Sequence, residues 1–298
     1  MNAADLAARY RVDAGKDFRL ATCDPGDTCG LDIDKAEAKE LLASNLDKMR
    51  SLQERLYAEG KWAILVVLQA MDAGGKDSAI EHVMSGINPQ GCEVHSFKAP
   101  GPVELQHNFL WRQQLVLPAR GRIGIFNRSH YEEVLVVRVH PQLLKAEGLP
   151  EQLVDGTIWQ RRFEDIRSFE QQLANAGTVV LKFFLHTSKT EQAKRFLERI
   201  DEKDKNWKFN AADMAERAFW DDYMNAYEDM IRNTATPFAP WYVVPSDNKW
   251  FSRLVIAAAL VTALERIDPK FPDVTQEQKR AMAEAREILV RGLDGGKT

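Results

Sequence analysis

The stretch from Trp62 to Leu68 is apolar at every position, with no polar residue alternating through it. A strand with one wet face alternates, whereas an unbroken run belongs to a strand covered on both faces, as in a parallel sheet between helical layers. Four further runs read as strands: Cys92 to Phe97, Arg122 to Phe126, Thr178 to Leu185 and Trp241 to Pro245. Helical spacing fills the intervals. Leu42, Leu46, Met49, Leu52 and Leu56 recur at three and four within a predicted helix from Asp34 to Ala58, ended by Gly60. Further helices are expected from Asp77 to about Ser85, Val103 to Leu115, Lys189 to Ile200, Ala211 to Asn233, near Trp250 onward, and Gln276 to Val290. Strands alternating with helices predict an α/β protein, a three-layer α/β/α sandwich around a mainly parallel five-stranded sheet. Residues 1–30, with the turn Asp24-Pro25-Gly26-Asp27, read as an arm packed on the body or on another subunit, and residues 31–298 as a single domain.

Charge narrows the partners. Acidic residues number 44 against 40 basic ones, which gives no basic footprint for nucleic acid. The longest apolar stretch, Leu254 to Leu264, is well short of the roughly 20 residues that span a bilayer, so it predicts a buried helix and no membrane segment. Cys23, Cys29 and Cys92 form no Cys-x-x-Cys pair, and the N-terminus carries no apolar signal-peptide core. These features predict a soluble, cytoplasmic chain.

Chemistry concentrates after the first strand, in Gln69-Ala70-Met71-Asp72-Ala73-Gly74-Gly75-Lys76-Asp77-Ser78. A standard phosphate-binding loop is Gly-x4-Gly-Lys-Ser/Thr. Here Ala70 replaces the first glycine and Asp77 the final hydroxyl residue. The position between a buried strand and a helix still suits an anion, because backbone N–H groups and the helix dipole converge there. Ala73, Gly74, Gly75, Lys76, Asp77 and Ser78 are the candidate phosphate ligands. Asp72 would repel a bare phosphate; it is a candidate to hold Mg²⁺ or to orient an attacking oxygen. Asp77 is a second candidate acid or, alternatively, a helix N-cap. The third strand runs into Asn127-Arg128, where Arg128 could clamp phosphate.

With these residues assembled, the chain resembles the family-2 polyphosphate kinases, P-loop kinases with a thymidylate-kinase-like fold and a helical lid. The resemblance spans about residues 30 to 268. It rests on Met71 to Asp77, Phe109-Leu110-Trp111-Arg112, Phe126-Asn127-Arg128-Ser129-His130-Tyr131 and Leu185-His186-Thr187-Ser188-Lys189, with Arg195, Phe196 and Arg199. Trp207-Lys208, Trp220-Asp221-Asp222-Tyr223 and Pro245-Ser246-Asp247-Asn248-Lys249-Trp250 complete it.

The resemblance implies phosphoryl transfer between inorganic polyphosphate and AMP, ADP or ATP with Mg²⁺, using Asp72, Lys76 and Arg128. The commoner subtype has Asp-Arg at the strand end. Asn127-Arg128 here is similar to the subtype that phosphorylates both AMP and ADP, with Glu132 or Glu133 as a replacement carboxylate. Residues 189–224 would form the lid, with Arg195, Arg199 and Lys208 closing on the nucleotide. Lys98, Arg112, Arg120 and Arg122 would line the polyphosphate path. His130 and His186 read as structural. The arm and the long first helix suggest a homo-oligomer, a dimer or tetramer. Two rivals remain: an ATP-dependent nucleotide kinase, against which Asp77 counts, and a non-catalytic phosphate- or nucleotide-binding regulatory module.

Overall fold

The structure, a computed structural model, describes residues 2–31 and 35–295. Its strands are β1 (Arg11–Val12), β2 (Ala63–Gln69), β3 (Cys92–Ser96), β4 (Ile123–Asn127), β5 (Thr178–His186) and β6 (Trp241–Pro245). They form one sheet in the order β1-β6-β5-β2-β4-β3. The five strands from β2 to β6 pair in parallel throughout. The sheet therefore has six strands, not the five expected. The extra one, β1, pairs antiparallel with β6 through Arg11 opposite Tyr242 and Val12 opposite Trp241.

The helices that matter here are α1 (Ala3–Tyr10), α2 (Lys35–Glu59), α3 (Lys76–Val83), α4 (Ile158–Asn175), α5 (Lys189–Asp201), α6 (Trp220–Thr234), α7 (Lys249–Ile267) and α8 (Gln276–Gly295). Asp34, the expected start of α2, lies outside the described residues. The apolar run divides cleanly between the two faces of the sheet. Ile64, Val66 and Leu68 point into a core built with Met49, Leu56, Ala79, Phe251 and Val255 from α2, α3 and α7. Leu65 and Val67 point the other way, into a core with Ile166, Phe169, Tyr227 and Met230 from α4 and α6. Every residue of β2 is buried, so cutting Ile64 or Leu65 to Ala would cost about 2–5 kcal/mol. Trp62, expected to begin this strand, stands outside it and is exposed.

The apolar segment Leu254 to Leu264 lies inside α7 and is almost wholly buried. No helix of the described residues is long and apolar enough to cross a membrane. The N-terminal helix packs on the body: Leu6, Ala7 and Tyr10 of α1 join the core that contains α7.

Two expected helices are broken. Val103 to Leu115 forms only a 3₁₀ turn at Glu104–Gln106 and a single helical turn at Trp111–Gln114. The side chain of Asn108 takes the Leu110 N–H at 2.9 Å, which competes with a continuous helix. The segment expected to run from Ala211 to Asn233 tightens at Glu216–Phe219 before α6 begins. There the Glu216 carboxylate is held by Tyr223 Oη at 2.6 Å and His140 Nε2 at 2.8 Å.

Inside the second core sits a buried polar cluster. Lys182 Nζ on β5 donates to Glu170 Oε2 at 2.6 Å, Tyr131 Oη at 3.0 Å and the Thr234 carbonyl at 2.8 Å. Tyr131 Oη donates in turn to Glu170 Oε1 at 2.7 Å. Buried charges persist when paired and fully hydrogen-bonded, as these are. The cluster anchors Tyr131 and with it the segment that leaves β4.

Candidate active site

β2 lies between β4 and β5, so its C-terminal end opens between the ends of two parallel neighbours, the place where open α/β sheets bind ligands. The loop that leaves it is tightly wound. Ala73 and Gly75 have φ of 60° and 101°, both in the left-handed region. A Cβ on Gly74 would stand 2.6 Å from the Ala70 Cβ and 2.8 Å from the Met71 carbonyl oxygen. Residues 70 and 74 therefore cannot both carry side chains. With glycine at 74, alanine is tolerated where the standard motif has its first glycine.

Gly75 is the N-cap of α3 and offers no side chain to the first-turn N–H groups. Those donors are available to an anion. Asp77 is not the cap. It sits inside the first turn, where its Oδ1 accepts a 2.7 Å hydrogen bond from Asn127 Nδ2. Two of the departures, Asp77 in the loop motif and Asn127 at the strand end, are thus in contact, and Asp77 brings a carboxylate to the strand end that Asn127 lacks.

Lys76 is buried, with Nζ donating to the Ala70 carbonyl at 2.8 Å and approaching that of Met71 at 3.4 Å. Burial, with the nearby Arg128 charge, lowers its pKa to about 8 against the opposing pull of Asp72, Glu132 and Asp77. Arg128 leaves β4 with φ of 61°. This left-handed backbone turns its guanidinium onto Asp72, in a close ion pair, and onto Glu132 at 3.1 Å. Glu132 first, and Asp72 with it, raise the Arg128 pKa despite burial. The acid inside the loop is therefore offset by a cation from the neighbouring strand.

The lid residues divide. Arg195 is buried: it pairs with Glu191 at 3.0 Å and donates to the Ala73 carbonyl at 3.2 Å and to the Ser246 carbonyl. It fastens α5 to the loop and to the end of β6 while still lining the cavity described below. Arg199, one turn on, reaches the Lys208 carbonyl at 3.4 Å and Asp213 at 3.7 Å. Lys208 is exposed, with Nζ 5.0 Å from the Trp207 ring centre.

These residues line a single cavity of about 940 Å³ that also includes Lys98, Arg112, Asn127, Glu133 and Lys249. That is within the range of small-molecule sites and ample for a nucleotide with a phosphate chain. Arg112 is buried, donating to the Lys98 carbonyl at 2.7 Å with its guanidinium 5.4 Å from the Phe97 ring centre. Arg122 does not line the cavity. It precedes β4, at the opposite end of the strand from Asn127, and pairs with Glu93. Arg120 is likewise outside, on the surface before β4.

Glu133 is not a replacement for a strand-end carboxylate beside the loop. It is turned away to Arg162, whose Nη1 lies 3.5 Å from Glu133 Oε2 and donates to the Glu133 carbonyl at 2.8 Å. Burial and Glu147 push the Glu133 carboxyl up to about 7, against Arg162 and Arg112. Glu132 is engaged with Arg128. His130 and His186 carry pKa values lowered by burial, and His130 packs edge-on to Phe169.

Asp72 and Asp77 are the carboxylates carried by the loop and the first turn of α3. No cluster of three or more metal-ligating side chains occurs among the described residues. Mg²⁺ usually keeps several waters and binds one or two carboxylates together with substrate phosphates, so Asp72 and Asp77 fit that mode of binding.

Some site residues carried no sequence signal. Gln192 donates from Nε2 to the Asp72 carbonyl at 2.8 Å. Its spacing of three from Arg195 puts both on one face of α5, which is a weak signal at most, since that spacing does not say which face meets the loop. Arg162 and Glu147 lie outside the sequence motifs, and only the folded structure brings them in.

Comparison with known proteins finds relatives across most of the chain. A family model described as polyphosphate kinase 2 matches residues 32–272. The ADP-polyphosphate phosphotransferase of Rhodopseudomonas palustris is 49% identical over 258 residues, covering 86% of this chain and 89% of that protein. The AMP/ADP-polyphosphate phosphotransferase of Meiothermus ruber is 44% identical over 276 residues, covering 93% and 99%. The crystal structure of polyphosphate kinase 2 from Arthrobacter aurescens TC1 superposes with a TM-score of 0.85 at 39% identity, covering 96% of this chain and 97% of that one.

Proposed function

The chain belongs to the polyphosphate kinase 2 family, and from that membership we propose that it transfers the terminal phosphoryl group of inorganic polyphosphate to ADP and AMP, reversibly and with Mg²⁺. The observation that carries this reading is the polarity of one cavity. Its lining includes the basic Arg199, Lys205, Lys208 and Lys249, of which Lys205 and Lys249 gather at Glu198, as well as the apolar Phe109, Val136, Val137 and Leu143. A polyanion suits the basic residues and a nucleoside the apolar ones.

Transfer forms a bond between an acceptor phosphate oxygen and the terminal phosphorus. It breaks the bridging P–O bond, leaving a chain one unit shorter. An ionised phosphate oxygen needs no base, so the protein's task is positioning and charge neutralisation. The α3 N–H groups and Lys76 hold the transferring group, for which Lys76 exchanges its loop carbonyls for phosphate oxygens. Arg128 holds acceptor and donor oxygens together, and Asp72 keeps Arg128 oriented. Mg²⁺, held by Asp72 and Asp77 with the phosphates, would neutralise charge on the bridging oxygens. Arg199 and Lys208, on the lid segment, would close over the chain and exclude water.

An ATP-dependent nucleotide kinase would need the hydroxyl ligand that Asp77 replaces. The test supplies ADP or AMP with long-chain polyphosphate and Mg²⁺ but no ATP. ATP from ADP, and ADP from AMP, are the expected products; no product with either acceptor overturns the proposal.

A further inference from the structure

We infer that Glu133 and Glu147, held by Arg162 at the apolar end of the cleft, read the hydrogen-bonding edge of the acceptor's base and so discriminate adenine from guanine. This rests on the function proposed above and adds the chemistry of its acceptor specificity.

The end of the cavity near Arg162 differs from the rest. Its wall is apolar, with Phe109 and Val137 among the lining residues, and its polar groups include the two carboxylates. Such a surface repels a phosphate chain and accepts a flat aromatic ligand. Arg162 makes it rigid. Its guanidinium lies 5.3 Å from the Phe109 ring centre and 5.6 Å from that of Trp159, and it bonds both Glu133 and Glu147. Glu147 Oε1 is buried without a hydrogen-bond partner among the described residues, so hydrogen-bonding capacity is left over for a ligand.

Two carboxylates share this one guanidinium. The groups facing Glu133 are Glu147 and Glu132, which favour its protonated form, and Arg162 and Arg112, which oppose it. With its pKa pushed up to about 7, chiefly by burial, the Glu133 carboxyl changes state around neutrality. A protonated carboxyl offers a donor beside an acceptor, which complements adenine N1 and its exocyclic amine. An ionised carboxylate offers two acceptors, which complement guanine N1–H and its amine. Adenine is therefore favoured below the pKa and guanine above it. Recognition of this kind is discriminating because a mismatched base leaves buried polar groups unpaired.

The test compares polyphosphate-driven phosphorylation of GDP and ADP by the wild-type protein. The ratio of their kcat/KM values cancels pH effects on the phosphates and the loop, and neither base titrates near neutrality. From about pH 6 to about pH 8 the GDP/ADP ratio should rise about a hundredfold, following one ionisation. Glu133→Gln, whose amide keeps a donor beside an acceptor, should hold the ratio flat and adenine-favouring. Glu147→Gln, which removes the neighbouring negative charge, should move the rise to lower pH. Parallel profiles for the two acceptors in the wild type overturn the inference, as does an unchanged slope in Glu133→Gln. Failure of both acceptors to gain phosphate from polyphosphate sinks the parent function, and this inference with it.

Discussion

The pairing of Asp72 with Arg128 can be measured as a coupling. The perturbations are Asp72→Asn, Arg128→Gln and the double variant. Opposite unit charges about 4 Å apart interact by about 4 kcal/mol at an effective dielectric of 20. Here the side chains are 33% and 21% exposed, and Glu132 also holds Arg128. Solvent screening then reduces the coupling to about 1–2 kcal/mol in the free protein. Urea denaturation of the four proteins at low salt should return that value, and added salt should lower it. Catalysis should show a larger and non-additive effect. Arg128→Gln removes a phosphate ligand and leaves the Asp72 carboxylate facing an incoming phosphate, so kcat/KM for ADP should fall by about 10³–10⁵, as for loss of a transition-state arginine. The double variant also lacks a carboxylate that would hold Mg²⁺ but is free of that repulsion, so its loss should be smaller than the two single losses multiplied together. Single losses that multiply in the double variant, with stability effects additive within about 0.5 kcal/mol, would refute the claim that the two act as a unit.

Other expectations follow from the same geometry. Lys76, with its pKa lowered to about 8 by burial, should lose charge as pH rises through that value, and kcat/KM should decline with a single ionisation; a level profile to well above pH 8 would mean its charge is not needed. Since its folded pKa lies below the ordinary 10.5, the folded state binds fewer protons in between. Lys76 should therefore make the free protein more stable as pH rises from about 8 toward 10.5, a trend that Lys76→Met should abolish in urea titrations. Lys182→Met leaves Glu170 buried and unpaired and should cost about 3–5 kcal/mol, whereas adding Glu170→Leu should recover much of it. Recovery of nothing would contradict the pairing. Asn127→Asp sets a carboxylate against Asp77 in place of their hydrogen bond and should shift the ratio of AMP to ADP turnover; an unchanged ratio would remove Asn127 from acceptor choice.

The central parallel strands were legible because burial between two helical layers leaves an apolar run, whereas β3, at the sheet edge, carries Glu93 and His95 and is only partly buried. β1 was not, since two residues carry no periodicity and its pairing is imposed by the exposed edge of β6. The loop declared itself through Gly74, Gly75 and Lys76, whose roles are fixed locally by backbone space and helix geometry. Side chains whose direction depends on tertiary contact were misjudged. Arg122 has the right charge but lies at the wrong end of β4. Glu133 belongs with Arg162 and Glu147, an association set by how α4 packs against the segment after β4 and invisible to spacing.

The most direct measurement follows the phosphoryl group itself. Polyphosphate radiolabelled in phosphorus is mixed with unlabelled ADP, Mg²⁺ and the protein, with ATP absent, and the nucleotides are separated. The account predicts label in the γ-phosphate of newly formed ATP, and its loss in Lys76→Ala despite an intact fold. Label released only as orthophosphate, or ATP formed without label, would contradict it.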